Sequence, residues 1–201
     1  MVCNISARKT ALQLLVLFCG APIVMAQNLA SSDSPLPDEA QHSQITQQIQ
    51  SYEQAIAGAD GTYSEVSAEL YQSLANAYLT IGDNAKAAQA YKDRLQALRI
   101  QLGLFSEAQL GTLASYNQLL YQLGDWDQID SNFHLSYHIA SKLYDKADSR
   151  YIEWATQLAS WKIKAFESGV LGPGNDDSIQ AAARIYQELA EQLPENDKDY
   201  Y

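Results

Sequence analysis

Three groups of side chains in this 201-residue chain have types and spacings that could do chemistry. His134 and His138 stand four apart, so on a helix they share a face, as the two histidines of a metal site do. The run His134-Leu-Ser-Tyr-His138 lacks the glutamate that a metalloprotease helix carries between its histidines. Both cysteines, Cys3 and Cys19, fall at the extreme N-terminal end and supply no thiolate nearby. The pair is therefore expected to be two partly exposed histidines, with no metal. The acidic pairs Asp125/Asp127 and Asp176-Asp177 have the chemistry of general acids and bases. They sit at turns and helix starts, where carboxylates ordinarily cap backbone N–H groups, and no nucleophile adjoins them by motif. The glycine-rich run Gly169-Val-Leu-Gly-Pro-Gly174 lacks the following Lys-Ser/Thr of a phosphate-binding loop. No catalytic residue, no cofactor and no metal is expected, and the chain reads as a non-enzyme.

Composition narrows the partners. Lys and Arg total 13 against 24 Asp and Glu, for a net charge of −11. A nucleic-acid footprint needs clustered basic residues to replace phosphate counterions, so nucleic acid is not an expected partner. The same balance disfavours anionic membrane surfaces. Residues 1–26 have the layout of a secretory signal: Arg8-Lys9, then a largely apolar stretch from Ala11 to Val24, then Val24-Met25-Ala26 as the cleavage site. Gln13, Gly20 and Pro22 interrupt that stretch, which falls short of the roughly 20 apolar residues of a span. The expectation is cleavage after Ala26 and no membrane span afterwards. Both cysteines would leave with the signal, which suits an oxidising compartment. Residues 27–38, polar and bearing Pro35 and Pro37, read as a flexible leader.

The elements that must position any site are set by a repeat. Gly61-Thr-Tyr-Ser-Glu65 returns as Gly103-Leu-Phe-Ser-Glu107, Gly82-Asp83 as Gly124-Asp125, and Tyr91 as Phe133, each at a spacing of 42. A fixed period of this size marks a repeat architecture. Periodicity at helical spacing begins near Glu39, with Ile45, Ile49, Tyr52 and Ile56 as the first stripe and Gly58 and Gly61 as the stop. Ser64 and Ser106 are expected N-caps, and Asp148 stands one period further on. Between them run the stripes Leu70, Leu74, Ala75, Tyr78, Ile81; then Ala87, Tyr91, Leu95, Leu98, Leu102; then Leu110, Leu113, Tyr116, Leu120, Leu123; then Ile129, Phe133, Tyr137, Leu143. A third unit carries Leu158-Ala159, replaces the tight turn by the Gly-Pro loop, and closes with a helix over residues 178–193 whose stripe is Ala182, Tyr186 and Leu189, stopping at Pro194. Trp154 and Trp161, seven apart, read as core, with an exposed aromatic patch beside Val170-Leu171 as the alternative.

These units resemble tetratricopeptide repeats. Tyr71, Leu74, Ala75, Tyr78, Gly82, Asp83, Ala87 and Tyr91 carry the likeness in the first unit, and Leu113, Tyr116, Gly124, Asp125, Trp126 and Phe133 in the second. The second departs at Asn117 and Ile129, where small residues belong, and the third has Lys162 in place of the first helix's tyrosine. The period of 42, with Leu102-Gly103 as linker, resembles the longer-helix variant typified by kinesin light chain. The resemblance implies an all-α fold, antiparallel helix-pair repeats forming a short right-handed α-solenoid over residues 39–194, with a tail at 195–201. It also implies a protein-binding scaffold whose first helices line a concave face. That face would present Gln72, Asn76, Leu79 and Thr80 from unit one, Gln118, Tyr121 and Gln122 from unit two, and Thr156, Ser160, Ile163 and Lys164 from unit three. Amides and hydroxyls can pair with both donors and acceptors of an extended backbone, so a protein or peptide partner is the expected ligand. The basic clamp that holds acidic tails in some relatives is absent. An exported scaffold of the periplasm or cell envelope is the leading expectation, and a self-assembling or secretion-associated envelope component the second.

Overall fold

The computed structural model describes residues 37–58, 66–172 and 176–192. Among these residues there are seven helices and no strand: α1 (Pro37–Gly58), α2 (Ser67–Thr80), α3 (Asn84–Leu102), α4 (Glu107–Leu123), α5 (Trp126–Leu143), α6 (Ser149–Ser168) and α7 (Asp176–Gln192). Each helix packs chiefly on the one before and the one after it. That nearest-neighbour stacking defines an α-solenoid, in which no hairpin buries its apolar stripe alone. The signal and tail readings, the leader up to residue 36, and the repeat's opening residues Gly61, Ser64 and Glu65 lie outside the described residues, whereas Pro37 and Asp38, expected to end the leader, form the first turn of α1. No described helix is long and apolar enough to cross a membrane.

The period of 42 is visible in backbone geometry. Gly82 and Gly124 end α2 and α4 with φ of 77° and 70°, a left-handed conformation that glycine adopts without a Cβ penalty. Asp83 and Asp125 follow with nearly the same dihedrals (φ −81°, ψ 71° and φ −85°, ψ 76°). Their carboxylates accept the N–H of Lys86 at 3.1 Å and of Gln128 at 3.2 Å. Asp83→Ala and Asp125→Ala are each expected to cost about 1 kcal/mol, read as a lowered urea midpoint with an unchanged slope. Asp148 caps α6 through the N–H of Arg150 at 2.9 Å. Ser106 does occupy the N-cap of α4, but its hydroxyl caps no backbone group. Instead the side-chain amide of Gln109 reaches back to Ser106 Oγ (3.2 Å) and to the Gly103 carbonyl (3.0 Å). The entry to α4 is held by that amide.

The core follows the expected stripes through α2, α3 and α4. Ala75, Ala87, Ala155 and Ala159 are fully buried, which lets helix axes approach closely, and Tyr91 stacks on Tyr116 at 5.8 Å across the α3–α4 contact. Burial pushes the Tyr116 hydroxyl up to about 12, with Asp125 adding to the shift.

Four expectations are corrected. Leu102 and Leu123, each the last residue of its helix, are 55% and 46% exposed. Along α5 the buried line is Ile129, Asn132, Ser136, Ile139 and Ala140, with Phe133 and Tyr137 only half-buried. Asn117, standing where a small residue belongs, explains the rotation: its side-chain oxygen accepts from Asn132 Nδ2 at 2.8 Å inside the core. A buried amide needs such a partner, and α5 presents it. Finally, α7 begins at Asp176, and Tyr186 is 39% exposed instead of buried.

Candidate functional site

Of the nine polar residues expected on the concave face, six line one or other of two clefts. Asn76 and Thr80, with Ile45, Gln48, Tyr52, Ser73 and Ala77, line a cleft of about 260 Å³ between α1 and α2. Gln72 is engaged elsewhere: its amide donates to Asn76 Oδ1 at 3.0 Å, and its oxygen accepts from the guanidinium of Arg94 on α3. Gln118 and Gln122 are exposed and line neither this cleft nor the next.

The other four residues converge. Tyr121 from α4 and Thr156, Ser160 and Lys164 from α6 line a cleft of about 290 Å³ together with Phe133, Gln157 and Trp161. Thr156, Ser160 and Lys164 stand at steps of four, so one face of α6 presents all three. Tyr121 meets Trp161 edge-on at 6.0 Å and Trp126 edge-on at 5.9 Å, while Phe133 stacks on Trp161 at 5.5 Å. Three of these rings, Tyr121, Phe133 and Trp161, wall the cleft, and Trp126 packs against Tyr121 outside its lining. The Lys164 ammonium lies 5.1 Å from the centre of the Tyr121 ring. Ser160 Oγ and the Tyr186 hydroxyl are 3.1 Å apart, extending the polar rim on to α7. Such an arrangement can take an apolar side chain against the rings and offer donors and acceptors to a backbone at the edge.

Behind the rings sits a charged cluster. Asp130 Oδ1 on α5 accepts the Trp161 indole N–H at 2.8 Å and the Lys162 ammonium at 2.7 Å. Lys162, two periods after Tyr78 and one after Leu120, is 8% exposed. The tryptophan that walls the cleft is therefore anchored by a carboxylate on the neighbouring helix. His134 Nε2 lies 3.7 Å from Asp130 Oδ2. Burial and then the Lys162 charge hold the His134 imidazole below its ordinary 6.5, against the opposing pull of Asp130. Since the unfolded chain then takes the proton first, this histidine lowers stability as pH falls below its ordinary value and contributes nothing above it. Wild type is expected to lose more melting temperature between pH 7 and pH 5 than His134→Gln does. The difference is small, because the ring is 53% exposed.

Trp161 is buried at 3% and Trp154 half-buried against the core, so the core reading holds, although Trp161 also walls the cleft. His138 does not join His134: it packs edge-on against Phe105 at 5.4 Å. Among the described residues no group of three His, Cys, Asp or Glu is placed to hold a metal. Asp125 serves as a cap, and Asp127, Asp176 and Asp177 fall in first turns of helices.

Sequence reasoning missed Phe133, Trp161 and Gln157 as cleft residues and Asp130 as the anchor of Trp161. Its one usable signal was Lys162 in an apolar register, which demands a carboxylate from an adjacent helix.

No family model matches this chain. No curated protein matches it either. Among solved structures, the crystal structure of BtubC (BKLC) from P. vanneervenii aligns over 76% of this chain and 60% of its own, at 18% identity and a TM-score of 0.49. The matched part is thus less than two thirds of that protein's length.

Proposed function

We propose that the chain is a non-catalytic scaffold that binds a protein partner through an extended peptide segment, working after export in the periplasm or cell envelope. The observation that carries the reading is the cleft of Tyr121, Phe133 and Trp161 rimmed by Thr156, Ser160 and Lys164. It draws residues from three successive helices and offers both apolar wall and backbone partners. Asn76 and Thr80 provide a second, polar station. Gln118 and Gln122, exposed on α4, would meet the segment as it passes. The resemblance to the kinesin-light-chain-like variant belongs to this reading, supported by the 42-residue period and the Leu102-Gly103 linker. Export rests on the signal-like residues 1–26 and on the absence of cysteine after them.

Cross-linking pull-down from the native envelope fraction, followed by peptide mapping, tests the proposal. Tyr121→Ala and Lys164→Glu are expected to weaken capture of the mapped segment about tenfold or more, as the loss of a central aromatic anchor does. Undiminished capture by both variants would remove the cleft from the binding face. Fractionation that leaves the chain in the cytosol would overturn the localisation.

A further inference from the structure

The two clefts occupy the same place in the repeat. Ser73, Asn76, Ala77 and Thr80 line the one between α1 and α2, and Gln157, Ser160, Trp161 and Lys164 line the aromatic one. Each residue of the second set stands 84 positions, two periods of 42, after its counterpart in the first. Equivalent positions of stacked repeats present one face, so the α2 and α6 stations belong to one surface with α4 between them. At the intermediate place the wall would come from Tyr91, one period before Phe133, and from Leu119, the counterpart of Ala77 and Trp161. Tyr91 is 3% exposed and stacks on Tyr116 at 5.8 Å, and Leu119 is 2% exposed. The apolar surface that walls a cleft in unit three is therefore already covered in unit two.

The chemistry of the two stations differs. Trp161 stands where α2 has Ala77, and with Tyr121 and Phe133 it gives the α6 station an apolar wall. The α2 station has no charged side chain in its lining: besides the four residues of α2 it has Ile45, Gln48 and Tyr52. Ser73 and Thr80 spend their hydroxyl protons on the carbonyls of Glu69 (3.1 Å) and Asn76 (2.9 Å), which leaves their lone pairs to accept. Asn76 Oδ1 already accepts from Gln72 at 3.0 Å, so its Nδ2 group is the one left to donate. Gln48 brings an amide that does both. Donors and acceptors side by side suit a side-chain amide or hydroxyl, which also does both. A charged group would lose hydration there with no counter-charge in the lining.

We infer that the partner segment is read at two points: a large apolar side chain in the aromatic cleft, and a neutral Asn, Gln, Ser or Thr side chain in the α1–α2 cleft. Packed helices lie about 8–10 Å apart, and two to four such steps separate the stations by roughly 20–35 Å. An extended chain covers that span in about 6–10 residues at ~3.3 Å each. The residues between cross α4, where the buried Tyr91 and Leu119 leave no apolar wall to read a side chain. This inference rests on the extended-segment reading of the aromatic cleft and adds the sequence preference of the segment.

The probe is a phage-displayed library of random peptides about 16 residues long, enough to span both clefts, selected on the full chain. Enriched peptides are expected to share a large apolar residue and, about 6–10 residues away and always on the same side, an Asn, Gln, Ser or Thr. Selection on the double variant Gln48→Ala with Asn76→Ala, both at exposed positions and checked for an unchanged thermal melt, is expected to keep the apolar preference and lose the polar one. A peptide enriched on wild type should bind that variant about three- to tenfold more weakly, the worth of one or two hydrogen bonds. Selection on Tyr121→Ala should lose the apolar preference instead. An apolar preference alone, a charged residue at the second position, or a polar preference that survives in the double variant would each overturn the inference and leave the aromatic cleft in place. A wild-type selection with no shared pattern would overturn the reading of the cleft itself, and this inference with it.

Discussion

Asp130→Ala is expected to be among the most damaging single changes in this chain, with a loss of about 3–5 kcal/mol on urea denaturation. The carboxylate holds two groups of α6 at once, the Trp161 indole N–H at 2.8 Å and the Lys162 ammonium at 2.7 Å. Removing it leaves an ammonium whose side chain is 10% exposed without its counter-charge. The Lys162 charge, once stranded, must either lose its proton or draw water into the α5–α6 contact. Lys162→Met behaves differently, because Asp130 keeps the indole bond and, at 24% side-chain exposure, part of its hydration. A modest loss is expected there. The double variant Asp130→Leu with Lys162→Met should recover most of the stability lost in Asp130→Ala, since a packed apolar pair can replace an ion pair of this kind. A double variant as unstable as Asp130→Ala would mean that the indole bond, not the charge pair, carries the contact. Because Trp161 walls the cleft, Asp130→Ala should also shift tryptophan emission to the red before global unfolding.

Ala75→Trp is the second large effect. Ala75 is fully buried on α2, beside Leu74 and Tyr78, where the lack of a bulky side chain lets the hairpin helices meet. Adding a few methylenes to a packed core already costs about 1–3 kcal/mol, and an indole adds far more volume than that. The array is expected to unfold at ambient temperature, with the helical circular-dichroism signal lost across α1 to α3 first. Nearest-neighbour stacking means the damage begins locally and spreads through interfaces. A melt like that of wild type would show that α2 and α3 do not pack as described.

The two substitutions probe different levels of the architecture. Ala75 belongs to the repeat itself and was legible from its place in the first unit. Its neighbours in the pattern, Leu74, Tyr78, Ala87 and Tyr91, are buried as the period requires. The turns were legible for a stronger reason. Gly82-Asp83 and Gly124-Asp125 act on backbone groups no more than five residues away, so the bonds that shape them need no tertiary partner. The cleft was only half legible. Spacing along α6 aligns Thr156, Ser160 and Lys164 whatever surrounds them, but which rings face them depends on how α4 and α5 are rotated. That rotation follows the Asn117–Asn132 pair, and neither asparagine names the other in a linear reading.

By itself, the sequence determined the helix-pair order, the tight turns and the small positions where helices meet. Each of these follows from local backbone chemistry or from a period that repeats. Only the tertiary structure decided that Lys162 finds Asp130, 32 residues away, that Trp161 is both core and cleft wall, and that Tyr121, Thr156, Ser160 and Lys164 share a cleft with Phe133 and Trp161. Helical spacing states which residues share a face, whereas the partner of that face is chosen by packing and by the need to pair every buried charge and amide.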